Sequence, residues 1–132
     1  MTEEAERVSI TVPKTLISEF DDAIDEWEYA SRSEAVRAAL RSFLSEHYWQ
    51  SDPNRSFQGS IQILYDHDAA TAELLELQHA AADVIIATQH VHFDDHRCLE
   101  SLVVDGRGAR IRALANELRA IGGVEQVRTA VM

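Results

Sequence analysis

The N-terminal third of the chain carries one strand-like and two helix-like hydrophobic patterns. Polar and apolar residues alternate over 7–12, as in a half-buried strand, and Pro13 ends the alternation. Apolar residues then recur at helical spacing over 16–27 and over 36–44. A lone strand has no partner for its backbone hydrogen bonds, and three short elements bury little surface by themselves. The pattern therefore predicts an intertwined dimer, in which two copies of strand 7–12 pair as an antiparallel ribbon.

The rest of the chain shows shorter patterns in the order strand, helix, strand, strand, helix, strand. A polar stretch over 49–58 precedes them and predicts a linker. The predicted elements are strand 59–65, helix 69–81, strand 84–93, strand 97–104, helix 108–121 and strand 124–131. This β-α-β-β-α-β order is the ferredoxin-like arrangement. The sequence thus predicts an α+β protein with two domains, 1–48 and 59–132.

The composition is that of a globular protein with an acidic surface. Hydrophobic residues make up 45% of the 132 residues, and the net charge is −11 at pH 7. The acids are spread over both halves, which indicates a whole-surface adaptation for solubility in a salt-rich cytoplasm. Such salt screens charge beyond a few ångströms, so the acidic balance does not exclude DNA as a partner. No apolar run reaches the roughly 18 residues of a membrane span and no signal peptide is visible, so we expect a cytoplasmic protein.

The strongest chemical signal is a His-x-His pair followed by the only cysteine of the chain. Side chains two residues apart on a strand point to the same side, so His90 and His92 face one way. Cys98 opens the next predicted strand, and a single cysteine cannot form an internal disulfide. Imidazole and thiolate donors favour Ni, Cu or Zn over Mg or Ca. The alternative is that His90 and His92 are ordinary strand histidines that bind no metal. That interpretation would be favoured for one histidine, but it is less suitable for several donors together.

A further donor, His79, lies at the end of the preceding predicted helix. From Val84 to His90 is six residues, or about 20 Å of strand, so His79 is badly placed to reach the other donors of its own chain. A neighbouring subunit with antiparallel strands would bring its own His79 across, which predicts a metal site shared between subunits. Gln78 and Glu100 are candidates to orient the ligands.

The outward side of the predicted strand 7–12 is polar. A two-stranded ribbon fits the major groove of B-DNA, where Arg7 would contact guanine and the hydroxyls of Ser9 and Thr11 would donate or accept. An amphipathic strand with a solvated face is the alternative. The start of the second helix adds hydroxyls, a guanidinium and free backbone N–H groups, which suit a DNA phosphate. These phosphate-binding candidates are Ser31, Arg32 and Ser33.

Two stretches of the sequence together resemble one family. "RVSITV…SRSEAVRAALRSFL" looks like a ribbon-helix-helix repressor, and "QHAAADVIIATQHVHFDDHRCLE" lies downstream of it. With both motifs in this order, residues 6–131 resemble the nickel-responsive regulator (NikR) family. The resemblance implies a transcriptional repressor with an N-terminal ribbon-helix-helix domain, which binds double-stranded operator DNA, and a C-terminal ferredoxin-like (ACT-like) domain. It also implies a homotetramer, a dimer of dimers, with one square-planar Ni(II) per subunit. The implied ligands are His90, His92 and Cys98 of one subunit and His79 of another.

Some positions depart from the family pattern or carry a weaker signal. Members of the family can hold a cation between the domains with two acids near the start of the second helix. Glu34 matches the first acid, but Ala38 stands in place of the second, which argues against that site. Among the other histidines, His47 is expected on a solvated helix end and His67 in a turn. His96 lies near the metal donors in sequence but is not expected to be a ligand of the site, and binding of surplus metal is the alternative for it.

Three alternatives remain open at this point. Cu(II) or Zn(II) is an alternative regulatory metal, because the usual affinity order places Cu(II) above Ni(II) and the protein cannot select nickel by affinity alone. A ferredoxin-like domain would also suit a small-molecule effector, although such a domain has no use for four metal donors. A metal with an open position would activate water, as in zinc hydrolases, but His79 would fill that position. We therefore expect a regulator rather than an enzyme.

Overall fold

The computed structural model describes residues 3–132, so residues 1 and 2 of the predicted first domain lie outside it. The helices and strands in chain order are α1 (Lys14–Glu26), α2 (Arg32–Ser51), β1 (Ser56–Asp66), α3 (His67–Ala80), β2 (Ile85–His92), β3 (Arg97–Arg107), α4 (Gly108–Arg119) and β4 (Val124–Val131). The chain divides into two compact units, one ending at Ser42 and one covering Phe43–Met132. Within the described part of the chain, no helix is both long and apolar enough to cross a membrane.

Local hydrogen bonds fix the start of α2. The Ser31 hydroxyl accepts a hydrogen bond from the Glu34 N–H at 3.1 Å, and the Glu34 carboxylate accepts one from the Ala30 N–H at 3.1 Å. This exchange satisfies backbone donors that a helix start otherwise leaves free, much as in a capping box. Both helices predicted for this part of the chain are present, and α2 begins one residue before the predicted start at Ser33.

Residues 3–13 form neither helix nor strand in the single chain, whereas the strand over 7–12 was predicted for two paired copies and stays a prediction. Val8 and Ile10, which were expected to face inward, are 75% and 77% exposed. A strand requires a second strand to pair its N–H and C=O groups. The sequence pattern placed that second strand on another copy of the protein, which a single chain does not supply.

The interpretation of 49–58 as a linker is also corrected. Helix α2 continues into this stretch and β1 begins within it. Trp49 and Phe57 are buried and meet edge to face, with ring centroids 5.9 Å apart. The Arg112 guanidinium lies over the Trp49 ring and donates a hydrogen bond to the Trp49 carbonyl at 2.8 Å. Most residues of the stretch are polar, but its two aromatic side chains belong to the core.

The four strands form one antiparallel sheet in the order β2-β3-β1-β4, and α3 and α4 bury their apolar sides against one face of it. The predicted β-α-β-β-α-β order is confirmed in this α+β unit. Strand β1 is longer than predicted because its whole length pairs with β3, from Ser56 opposite Arg107 to Asp66 opposite Arg97. This long ladder fixes which residues meet at the end of the sheet where β1 stops and β3 starts.

The second unit leaves part of its sheet uncovered. Strand β2 lies at the edge, and its side chains from Ile86 to His92 are exposed. Val91 and Val103, on the face opposite the helices, are 38% and 47% exposed. An open apolar face beside an unpaired edge strand is a surface on which another chain can pack.

Candidate metal centre

Strand register brings the predicted donors of β2 and β3 to one face of the sheet. His92 lies directly opposite Cys98, and His90 lies opposite Glu100. In the other direction, Tyr65 of β1 is the partner of Cys98. Side chains of directly opposed residues point to the same face. The helix-bearing face therefore carries the two imidazoles, the thiol, a carboxylate and a phenol next to one another.

Four donor atoms converge at this place. The Cys98 Sγ lies 3.1 Å from the His92 Nδ1, and the Nε2 atoms of His90 and His92 are 3.1 Å apart. The Cys98 Sγ also lies 3.6 Å from the Nδ1 of His67. One ligand atom from each of the four residues falls within 4.8 Å of the other three. Three nitrogens and one sulfur in this space suit Ni(II), Cu(II) or Zn(II), which accept imidazole and thiolate ligands.

His67 was not among the predicted donors, because the sequence pattern placed it in a turn. It is the first residue of α3, and its N–H donates to the His96 carbonyl at 2.7 Å. The Asp66 side chain caps the helix start by accepting from the N–H groups of Asp68 and Ala69. Since β1 ends beside the start of β3, the residue that follows β1 necessarily comes close to Cys98. Knowing the β1–β3 register would have identified it.

His79, by contrast, is not part of the cluster. It is exposed near the C-terminal end of α3, twelve residues after His67 on the same helix. At 1.5 Å per residue the two positions are about 18 Å apart along the helix axis. The chain therefore does not bring His79 to the donors of its own sheet. Its predicted role as a ligand from a neighbouring subunit stays a prediction.

The second nitrogen of His90 is held by neighbouring groups. Its Nδ1 lies 3.0 Å from the Tyr65 hydroxyl and 3.3 Å from the Glu100 carboxylate. The Gln78 side-chain amide donates in turn to Glu100. These contacts engage Nδ1 and leave Nε2 facing His92, which is the arrangement that orients a metal-binding imidazole. Gln78 and Glu100 were predicted for this role, whereas Tyr65 was missed because its position depends on the β1–β3 register.

Burial and negative charge keep the Cys98 and Tyr65 side chains protonated. Burial raises the pKa of the Cys98 thiol, and the Glu100 carboxylate raises it further. Burial also raises the pKa of the Tyr65 hydroxyl, again with a contribution from Glu100. A metal ion that binds the cluster must therefore displace a proton from Cys98, since only the thiolate is a ligand.

The remaining candidate residues lie outside the cluster. His47 is exposed on α2 beside Ser51, and the exposed His96 ring lies 3.9 Å from the Asp68 carboxylate. The Glu34 carboxylate is occupied in the cap of α2.

The DNA-binding candidates all belong to the first unit, and all are exposed. They are Arg7, Ser9, Thr11, Ser31, Arg32 and Ser33. Arg7, Ser9 and Thr11 lie in the irregular segment before α1, and the Ser31 hydroxyl caps α2. The Arg32 guanidinium makes two hydrogen bonds to the Asp21 carboxylate, at 2.7 and 3.0 Å. A phosphate at this position would therefore compete with Asp21 for Arg32.

Comparisons with known proteins relate this chain to nickel-responsive regulators. The family profile described as "NikR C terminal nickel binding domain" matches residues 58–132. A relative from Methanocaldococcus jannaschii, whose provisional name is nickel-responsive regulator, is 43% identical over 131 residues, 98% of this chain and 93% of its own. A relative of the same name from Thermococcus onnurineus is 43% identical over 121 residues, covering 90% of this chain and 87% of its own. An uncharacterized Thermotoga maritima protein of known structure shares the fold, with a TM-score of 0.52 at 22% identity, over 59% of this chain and 99% of its own.

Proposed function

This chain belongs to the NikR family of nickel-responsive regulators, and we propose that it is a transcriptional repressor whose binding to double-stranded operator DNA depends on Ni(II). It is a regulator rather than an enzyme, and it acts as a homotetramer, a dimer of dimers, with one Ni(II) per subunit. The observation that carries the proposal is the convergence of His90, His92 and Cys98 on one sheet face, while His79 lies out of reach on the same chain.

The proposed nickel ligands are three residues of one subunit and one of its neighbour. His90, His92 and Cys98 supply two nitrogens and a sulfur, and His79 of a second subunit supplies the third nitrogen. Three nitrogens and a thiolate suit the planar coordination that Ni(II) adopts. The bound ion would supply bonds that join the two subunits. The exposed ring of His79 and the exposed edge strand β2 are both available to a second chain.

Exposed apolar surface supports association of the second units. Val91 and Val103 form part of a sheet face that no helix of the second unit covers, and Phe93 beside them is 60% exposed. Apolar side chains gain free energy when a second copy removes them from water, about 25 cal/mol per Å². Packing of this kind, together with shared metal ligands, would fix the orientation of the subunits.

The first unit is proposed to dimerise and to bind DNA. Val8 and Ile10 are exposed in the single chain, and a second copy of strand 7–12 would both pair their backbone and cover their side chains. The paired ribbon would direct Arg7, Ser9 and Thr11 toward base edges in the major groove. Ser31, Arg32 and Ser33 would contact phosphates at the start of α2, with Arg32 exchanging Asp21 for the phosphate.

Metal-dependent DNA binding is the test of this proposal. A random double-stranded DNA pool is selected with the full chain and Ni(II), and the affinity for the selected sequence is measured with nickel and with a chelator. We expect nickel to tighten binding about 10- to 100-fold, which is a typical coupling between two sites. Cys98→Ala should lose the effect, while the matched control His96→Ala, outside the cluster, should keep it. Equal affinity of the wild-type protein with and without nickel would contradict the proposal.

A further inference from the structure

The presence of His67 at the cluster gives one chain a complete set of four donors. His67 contributes its Nδ1 at 3.6 Å from the Cys98 Sγ, and its ring centroid lies 5.4 Å from that of His92. The three other donors are those of the proposed nickel site. We infer that a single protomer binds a divalent transition metal by itself through His67, His90, His92 and Cys98, without His79 from a second subunit.

Hydrogen bonds at the start of α3 and partial burial of the ring hold His67 beside the cluster. Its backbone N–H donates a hydrogen bond to the His96 carbonyl, and the first turn of α3, which contains His67, is capped by Asp66. The ring is half-buried, and its Nδ1 also lies 3.4 Å from the Thr71 hydroxyl. His96, only two residues before Cys98 in the sequence, has an exposed ring turned to Asp68 and does not join the cluster. The two histidines therefore form a matched pair for mutation.

The chemistry of the own-chain donors, three imidazoles and one thiolate, suits an ion that accepts tetrahedral coordination. Bonds of about 2.0 Å to nitrogen and 2.3 Å to sulfur give a tetrahedral N···S edge of about 3.5 Å. The Cys98 Sγ to His67 Nδ1 distance of 3.6 Å is close to this edge, and the Cys98 Sγ to His92 Nδ1 distance of 3.1 Å is shorter than it. Zn(II) is usually held by four histidine and cysteine ligands in this geometry. The own-chain set is therefore assigned to Zn(II) and to Co(II), which serves as its spectroscopic substitute.

Two donor sets that share three residues exclude one another. A metal held by His67 leaves no coordination position for His79 of a second subunit, and a metal held by that His79 releases His67. This exchange of His67 for His79 is the only part of the inference that rests on the proposed function. His67 then becomes a residue that determines metal specificity, because it offers zinc a complete site that does not join subunits.

The experiment compares variants of the full chain by titration with Co(II) and by competition with Zn(II). The His79→Ala substitution removes the shared site. This variant should still bind Co(II) with an affinity within about threefold of wild type. Its spectrum should show the intense d–d absorption of a four-coordinate ion and a thiolate charge-transfer band. His67→Ala/His79→Ala should bind about 100-fold more weakly and lose the four-coordinate spectrum. His96→Ala/His79→Ala is the matched control and should behave as His79→Ala does. Far-UV circular dichroism checks that each variant is folded.

The results separate this inference from the proposed function. If His79→Ala and His67→Ala/His79→Ala bind Co(II) with the same affinity and spectrum, His67 is not a ligand and the inference is overturned. The nickel dependence of DNA binding is measured separately. If the wild-type protein shows none while the cobalt titrations behave as expected, only the proposed function and the exchange step fail, and the own-chain site stands.

Discussion

Replacing Cys98 with serine is expected to lower the affinity for Ni(II) about 100- to 1000-fold. The thiolate is one of four ligands, and four-ligand structural zinc sites bind their metal with about 10–16 kcal/mol in total, or about 2.5–4 kcal/mol per ligand. A serine hydroxyl has nearly the same size but does not ionise near neutral pH, so it fills the space without replacing the bond. The affinity is measured by competition with a chelator of known strength at pH 7.5.

The matched control for this substitution is Ser101→Ala. Ser101 lies three residues further along β3 and its side chain is on the opposite face of the sheet, away from the donors. It should bind nickel as the wild type does. A Cys98→Ser protein that retained wild-type affinity would remove the thiolate from the site and, with it, a main chemical reason for expecting a transition metal rather than Mg or Ca.

Replacing Trp49 with alanine is expected to lower the free energy of unfolding of the second unit by about 3–5 kcal/mol. Trp49 is buried among Phe57 and the side chains of the sheet core, and truncation would leave a cavity there. Unfolding in urea is followed by far-UV circular dichroism, so that loss of tryptophan fluorescence does not affect the measurement.

Gln50→Ala provides the comparison for Trp49→Ala. Gln50 is the next residue on α2 and is exposed, with one hydrogen bond to the Glu46 carboxylate. Its substitution should change the free energy of unfolding by less than about 0.5 kcal/mol. If the two variants were equally stable, the end of α2 would not be part of the core, and 49–58 would act as the linker that its composition suggests.

Whether a sequence prediction was correct depended on how far apart in the sequence the contacting residues lie. His90, His92 and Cys98 were found from strand alternation and a short turn, because both effects are local and the hairpin register follows from them. His67 and Tyr65 were missed because their positions depend on the pairing of β1 with β3, which are more than thirty residues apart. No local pattern specifies that pairing.

One further error and one open prediction have separate physical causes. Trp49 and Phe57 were assigned to a linker since their neighbours are polar, and only the three-dimensional packing shows that both rings are buried. The strand over 7–12 was predicted from its alternation, but alternation shows only that a segment is suited to pairing. Whether it forms a strand depends on a second chain, so the single chain leaves Val8 and Ile10 exposed.

The most direct measurement of the shared metal site is a subunit-mixing experiment. His67→Ala/His79→Ala and Cys98→Ala are each unable to complete a site alone, but a mixed oligomer combines Cys98 of one subunit with His79 of the other. After the two variants are unfolded and refolded together, random assembly should restore the thiolate-to-nickel absorption to about one quarter of the wild-type value, since each complete site requires the right variant in both places. A mixture with no more absorption than the separately refolded variants would contradict metal binding across subunits.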